Sequence, residues 1–131
     1  MVIDTSALVA IILGEPTAEV LGPLVLQSEA LMSAPNLLEA HMVLRKFLGD
    51  DVNSVIASCI ADLGVTVIAF GDGHAAEACR AFDLYGKGRH PSALNFGDCM
   101  AYALAKVSGQ SLLFTGADFA GTDIPTAMDS L

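Results

Sequence analysis

The spacing of apolar and polar positions changes several times along this chain, and each change predicts an element. A β-branched pair, Val2 and Ile3, runs into Asp4, Thr5 and Ser6, which reads as a short buried strand opening directly into a helix. Ser6 is the expected N-cap of a helix from Ala7 to Leu13, apolar on every face and stopped by Gly14. A second helical stretch is expected from Pro16, with a kink or restart at Pro23. Ala30 to Ser33 is a short strand candidate. Pro35 then opens a helix to Leu48 with Leu37, Ala40, Val43, Leu44, Phe47 and Leu48 as its stripe and Glu39 on its flank.

Asp50 and Asp51 suit the start of the next helix, where acids favour the positive dipole end. Its stripe is Val52, Val55, Ile56, Cys59, Ile60 and Leu63, closed by Gly64. Val65 to Phe70 is the strongest strand pattern in the chain. Asp72 is the expected cap of a helix reaching Tyr85, with Ala75, Ala78, Cys79 and Phe82 inward. Gly86 to Leu94 reads as a loop, Asn95 to Val107 as a helix stopped by Gly109, and Leu112 to Thr115 as a strand, with a last short strand near Ile124. Strands alternating with helices predict an α/β fold with a mainly parallel sheet covered on both faces, as a single domain over residues 1–131.

Composition adds bounds. At 131 residues, 53% of them hydrophobic and none Trp, the chain suits a compact, covered core. The apolar run Ala7 to Leu13 is far shorter than the roughly 18 to 20 residues of a membrane span and lacks a basic leader, so a cytoplasmic protein with no membrane partner is expected. Cys59, Cys79 and Cys99 have no Cys-x-x-Cys pairing and read as buried thiols. His41, His74 and His90 read as structural. A net charge of −9 opposes general attraction to nucleic acid, so a polyanionic substrate needs local neutralisation by a metal ion or a basic partner.

Four acids stand apart from ordinary surface charges: Asp4 after the first strand, Glu39 beside an apolar helix, Asp98 early in a helix and Asp118 after the last strong strand. Ala101 and Ala105 share a helix face with Asp98 and leave room for another acid alongside it. In an open parallel sheet, the strand ends form the edge where ligands bind. Crowded carboxylates either take up protons or bind a cation. Oxygen ligands without a His or Cys cluster point to Mg²⁺ or Mn²⁺, which suits phosphodiester hydrolysis. A phosphotransferase using Asp4 as nucleophile is disfavoured, because that chemistry wants an Asp-x-Asp step and Ser6 holds the second position.

The segments Ile3-Asp4-Thr5-Ser6-Ala7-Leu8, Leu37-Leu38-Glu39, Tyr85-Gly86-Lys87-Gly88-Arg89-His90-Pro91, Asn95-Phe96-Gly97-Asp98-Cys99 and Leu112-Leu113-Phe114-Thr115-Gly116-Ala117-Asp118-Phe119, in that order and spacing, resemble the PIN domain. More narrowly they resemble the VapC-type toxins of bacterial toxin–antitoxin pairs. The likeness spans essentially the whole chain, and the block from Tyr85 to Lys106 is its most specific part.

The resemblance implies a three-layer α/β/α sandwich and a metal-dependent endoribonuclease with Asp4, Glu39, Asp98 and Asp118 in an acidic pocket. By that likeness Asp4 and Asp98 are the main ligands of Mg²⁺ or Mn²⁺, while Glu39 and Asp118 hold further metal, waters or the nucleophile. Ser6 and Thr115 match small polar positions lining such pockets, and Asn95 a position that orients an acid. Arg80, Lys87 and Arg89 are candidates for contacts to RNA phosphates. The likeness also implies a homodimer, with the apolar helix Ala7–Leu13 as a candidate contact. It further implies a small antitoxin whose basic C-terminal segment enters the acidic groove, an Arg there replacing the metal's charge. A degenerate, non-catalytic domain that only binds such a partner is the alternative.

Overall fold

The computed structural model describes residues 1–130, with side chains through Met128. Four short strands, β1 (Val2–Ile3), β2 (Leu31–Ser33), β3 (Thr66–Ile68) and β4 (Leu112–Leu113), form one sheet in the order β3-β2-β1-β4. All three pairings are parallel, with Val2 opposite both Leu31 and Leu112. Six helices connect and cover them: α1 (Thr5–Leu13), α2 (Ala18–Leu26), α3 (Ala34–Leu48), α4 (Val52–Leu63), α5 (Asp72–Tyr85) and α6 (Phe96–Ser108).

The period of two along each strand divides the core. Ile3, Met32 and Leu113 pack with α1 to α4, through residues such as Leu8, Leu21, Val25, Ala40, Leu44 and Ile56. Val2, Leu31 and Leu112 face the other way, onto α5 and α6, where Ala81, Ala101, Tyr102 and Leu104 are buried. The expected three-layer sandwich with a parallel central sheet is therefore present. Among the described residues no single helix is long and apolar enough to cross a membrane; α1 and α2 together reach that length only across a 115° bend.

Local chemistry moved several boundaries. Asp4, not Ser6, caps α1: its backbone is extended (φ −78°, ψ 159°) and its side chain accepts the Ser6 N–H, so the helix starts at Thr5. Pro16 lies in the turn before α2, which starts at Ala18 and runs through Pro23 without restarting. Gly71 takes the cap position expected of Asp72, with His74 Nδ1 accepting the Gly71 N–H at 3.0 Å. Gly109, in the left-handed region at φ 66°, stops α6 as its sequence position predicts.

Other expectations failed on burial. The β-branched run from Val65 to Phe70 contributes only the three residues of β3, at the sheet edge, with Thr66 and Val67 exposed. The strand expected near Ile124 reduces to a single parallel bridge between Leu112 and Thr126. Phe47 (65% exposed), Ala75, Cys79 and Phe82 lie outside the core, because their stripes extend past the surface they pack against; α5 meets α6 through Ala78 and Ala81. Cys99 is buried and Cys59 half-buried, but Cys79 is open to solvent. In helix α1, Ala7, Leu8 and Ala10 are fully covered, while Val9, Ile11, Ile12 and Leu13 are half-buried. Among the described residues, the most exposed large apolar side chains are those of Leu26, Leu38, Met42, Phe47 and Phe96.

Candidate active site

At the carboxyl end of β1, Asp4 is only 5% exposed. Its Oδ2 accepts both the N–H (3.0 Å) and the hydroxyl (2.6 Å) of Ser6. Ser6 Oγ in turn accepts the Thr115 N–H at 3.0 Å, which joins the end of β1 to the segment after β4. Asp4 Oδ1 is buried with no hydrogen-bond partner in the protein. A carboxylate oxygen in that state carries a desolvation penalty that a proton or a cation would relieve.

Glu39 enters from the second turn of α3. The Thr5 hydroxyl donates to its Oε1 and also lies 3.1 Å from the Asn36 carbonyl. Asn36 Nδ2 donates to the same Oε1 (3.3 Å) and to the Gly97 carbonyl (3.0 Å). A Cβ at position 97 would fall inside the Glu39 carboxylate, so only glycine leaves room for the acid there. Asp98 sits at the third position of α6 in a reciprocal capping box: its N–H donates to Asn95 Oδ1 (2.9 Å) and its Oδ2 accepts the Asn95 N–H (3.0 Å). Asp118 lies exposed on the turn after β4.

These four acids, with Thr5, Ser6, Val9 and Val43, line one hollow of about 210 Å³. Burial pushes the Asp4 carboxyl above its ordinary pKa against the pull of the Ser6 hydrogen bonds, and the Glu39 charge adds to the rise. Asp98 is pushed up to about 6, first by burial and then by the charges of Asp4, Asp118 and Glu39, against its bond from Asn95. The acids therefore repel one another across the hollow. Among the described residues, no three Asp, Glu, His or Cys side chains are arranged to close around an ion by themselves. The donor set still fits a hard cation that keeps much of its water: all oxygen, two raised carboxyls and one uncommitted buried oxygen on Asp4.

Residues 1–125 match the family described as PIN domain. The chain belongs to that family. This PIN domain is 44% identical over 125 residues to Ribonuclease VapC of Mycolicibacterium smegmatis, covering 95% of this chain and 97% of the relative. Among solved structures it resembles Mycobacterium tuberculosis VapC20, described as a sarcin-ricin loop cleaving toxin, with a TM-score of 0.75 at 16% identity over 94% of this chain and 95% of that one. It also resembles VapBC2 of Rickettsia felis, solved bound to a DNA fragment from its promoter, with a TM-score of 0.73 at 16% identity over 95% and 94% of the two chains. At such identities the two structures speak for the PIN fold.

All four acids singled out in the sequence of this PIN domain meet at the hollow, and Ser6, Asn95 and Thr115 each bond to an acid or to its support. The three basic candidates do not line it. Arg80 pairs with Glu77 at 3.0 Å, and Arg89 lies over the Phe82 ring at 5.8 Å from its centroid. Lys87 is exposed on the loop before α6. His74 and His90 accept backbone N–H groups, as a structural role requires. Sequence reasoning missed Thr5, Asn36 and Gly97 as parts of the site. Their signals were an Asn three residues before Glu39 on one helix face and a Gly immediately before Asp98.

The raised Asp98 carboxyl fixes the sign of a pH effect. A group with a higher pKa folded than unfolded gives stability that is fully present below its unfolded value and lost as pH rises through its folded one. For the metal-free PIN domain, thermal stability relative to Asp98→Asn is expected to fall as pH rises through about 6. Melting curves of both proteins in chelator across that range check it. A difference that stays flat would contradict the burial and repulsion described above.

Proposed function

We propose that this PIN domain is a metal-dependent endoribonuclease, the toxin of a type II toxin–antitoxin pair acting in the cytoplasm. The observation that carries the reading is the set of four carboxylates around one hollow at the ligand-binding edge of a parallel sheet. Identity of 44% to a VapC ribonuclease over almost the whole chain supports the same reading. The retained acids speak against a degenerate domain that only binds a partner.

In this mechanism Asp4 and Asp98 would hold Mg²⁺ or Mn²⁺, and Glu39 and Asp118 would hold further metal, waters or the nucleophile. The bound ion supplies positive charge against the phosphate, a lowered pKa for the attacking water and a counter-charge for the leaving oxygen. Ser6 occupies Asp4 Oδ2 and so reserves Oδ1 for the ion. The Asn95 capping box fixes the Asp98 side chain at the first turn of α6. Glu39 Oε2, the oxygen that Thr5 and Asn36 leave free, orients the attacking water and receives its proton. The water oxygen bonds to phosphorus, the bond to the ribose oxygen breaks, and that oxygen takes a proton from solvent as it leaves. Lys87 and Arg89, which form no ion pair among the described residues, take phosphates of the RNA on either side of the cut, while Arg80 remains tied to Glu77.

The predicted partners follow from the likeness to VapC proteins, and the charge suits them. At −9 overall, with four acids in one hollow, the protein favours a small antitoxin whose basic C-terminal segment places a guanidinium among the carboxylates and so excludes the cation. The active unit in this reading is a homodimer. Chelation is expected to lower cleavage of total RNA by at least about a hundredfold, and added Mg²⁺ or Mn²⁺ to restore it. Cleavage that persists undiminished in excess EDTA would overturn the metal-dependent mechanism.

A further inference from the structure

We propose that Asn36 is a positioning residue that clamps the Glu39 carboxylate to the backbone of Gly97 and so sets its spacing from Asp98. The proposal rests on the ribonuclease reading above and assigns a role within that site. Asn36 has no exposed surface, yet its amide spans two elements, giving Nδ2 to Glu39 Oε1 on α3 and to the Gly97 carbonyl on α6. Both partners are acceptors, which fixes the amide orientation: a flipped Asn36 would set its carbonyl oxygen against two others. Its Oδ1 is then left buried with no partner.

A core residue chosen for stability alone would not leave that oxygen unpaired. Nor does Gly97 need the bond, since a carbonyl in the first turn of a helix already accepts an N–H from the next turn. Glu39 is the group that gains. Without Asn36 it is a half-buried chain with several free rotations, held by Thr5 from one side only. With it, donors from α1 and α3 converge on Oε1, and the same amide ties that point to α6, one residue from Asp98. Supporting hydrogen bonds of this kind change metal affinity or activity by about 10- to 100-fold when removed.

Asn36→Leu, which fills the space without polar atoms, and Asn36→Ala, which leaves room, test the clamp. Each is titrated with Mn²⁺ by calorimetry in the absence of RNA, melted in chelator, and assayed for kcat and KM on RNA. The expected result is Mn²⁺ binding weaker by about tenfold and kcat lower by about tenfold or more. KM is expected to stay near the wild-type value, and Asn36→Leu to melt no lower than wild type. A folded variant with wild-type Mn²⁺ affinity and kcat overturns the proposal, as does a lowered melting point with metal binding unchanged. With Asn36 left in place, NMR supplies an independent check: its side-chain amide signal must shift on Glu39→Ala, and its failure to move overturns the clamp. A wild-type protein that binds no Mn²⁺ would instead sink the ribonuclease mechanism, while the amide signal still reports on the contact.

Discussion

Asp4→Asn is expected to lower RNA cleavage by at least about a thousandfold while leaving the fold in place. The two effects separate because the Asp4 side chain does two things with two oxygens. Oδ2 caps α1 through the Ser6 N–H, and Asn caps a helix about as well as Asp. The buried charge is what the substitution removes. That charge is desolvated, repelled by Glu39 and unpaired at Oδ1, so in chelator the variant should melt at or above the wild-type temperature. RNA cleavage by the folded variant, together with its melting curve, measures both halves. Wild-type cleavage would remove Asp4 from the mechanism; a large drop in melting temperature would show that the carboxylate serves the fold.

Gly97→Ala should also inactivate without unfolding. The added methyl would occupy the place of the Glu39 carboxylate, whose atoms are its three nearest neighbours. The far end of a Glu side chain can swing away, so the fold can absorb the change, and Ala gains up to about 1 kcal/mol over Gly inside a helix. Glu39 then leaves the hollow. Misplacement of a reacting group by about 1 Å can cost about a hundredfold in rate, and a loss of at least that size is expected in kcat. Circular dichroism and melting in chelator establish the fold, and turnover on RNA establishes the loss. A variant that is fully active would mean that Glu39 is not needed where it stands.

The four acids were legible in the sequence because each follows a change of period: Asp4 and Asp118 come after apolar strands, while Glu39 and Asp98 flank apolar helices. What surrounds them was not. Thr5, Asn36 and Gly97 are residue types that also serve as caps, turns and helix starts, and their common purpose appears only when α1, α3 and α6 meet. Ser6 and Asp4 are both good cap residues two positions apart, so composition alone did not decide between them. The strands show the same limit. Val65 to Phe70 has the strongest β pattern but supplies an exposed edge, whereas the plain dipeptides Val2-Ile3 and Leu112-Leu113 are fully buried in the two strands whose ends lead to Asp4 and Asp118. β preference reports fit to a pleated surface, and whether a strand is buried is set by the helices that cover its two faces. Phe47 and Phe82 failed for a related reason, since periodicity marks a face and cannot say whether another element covers it.

The bond from Thr115 to Ser6 crosses 109 positions, and β4 is the strand that pairs with β1 on the side of Asp118. Seen from the ribosome, that is a delay. A growing chain exposes Asp4, Glu39 and Asp98 well before the segment that anchors its first strand has been made, and domains assemble as their parts emerge. A chain that has not yet been made as far as Leu112 has neither the strand that pairs with β1 on that side nor Asp118, so the hollow is completed only as the last residues emerge.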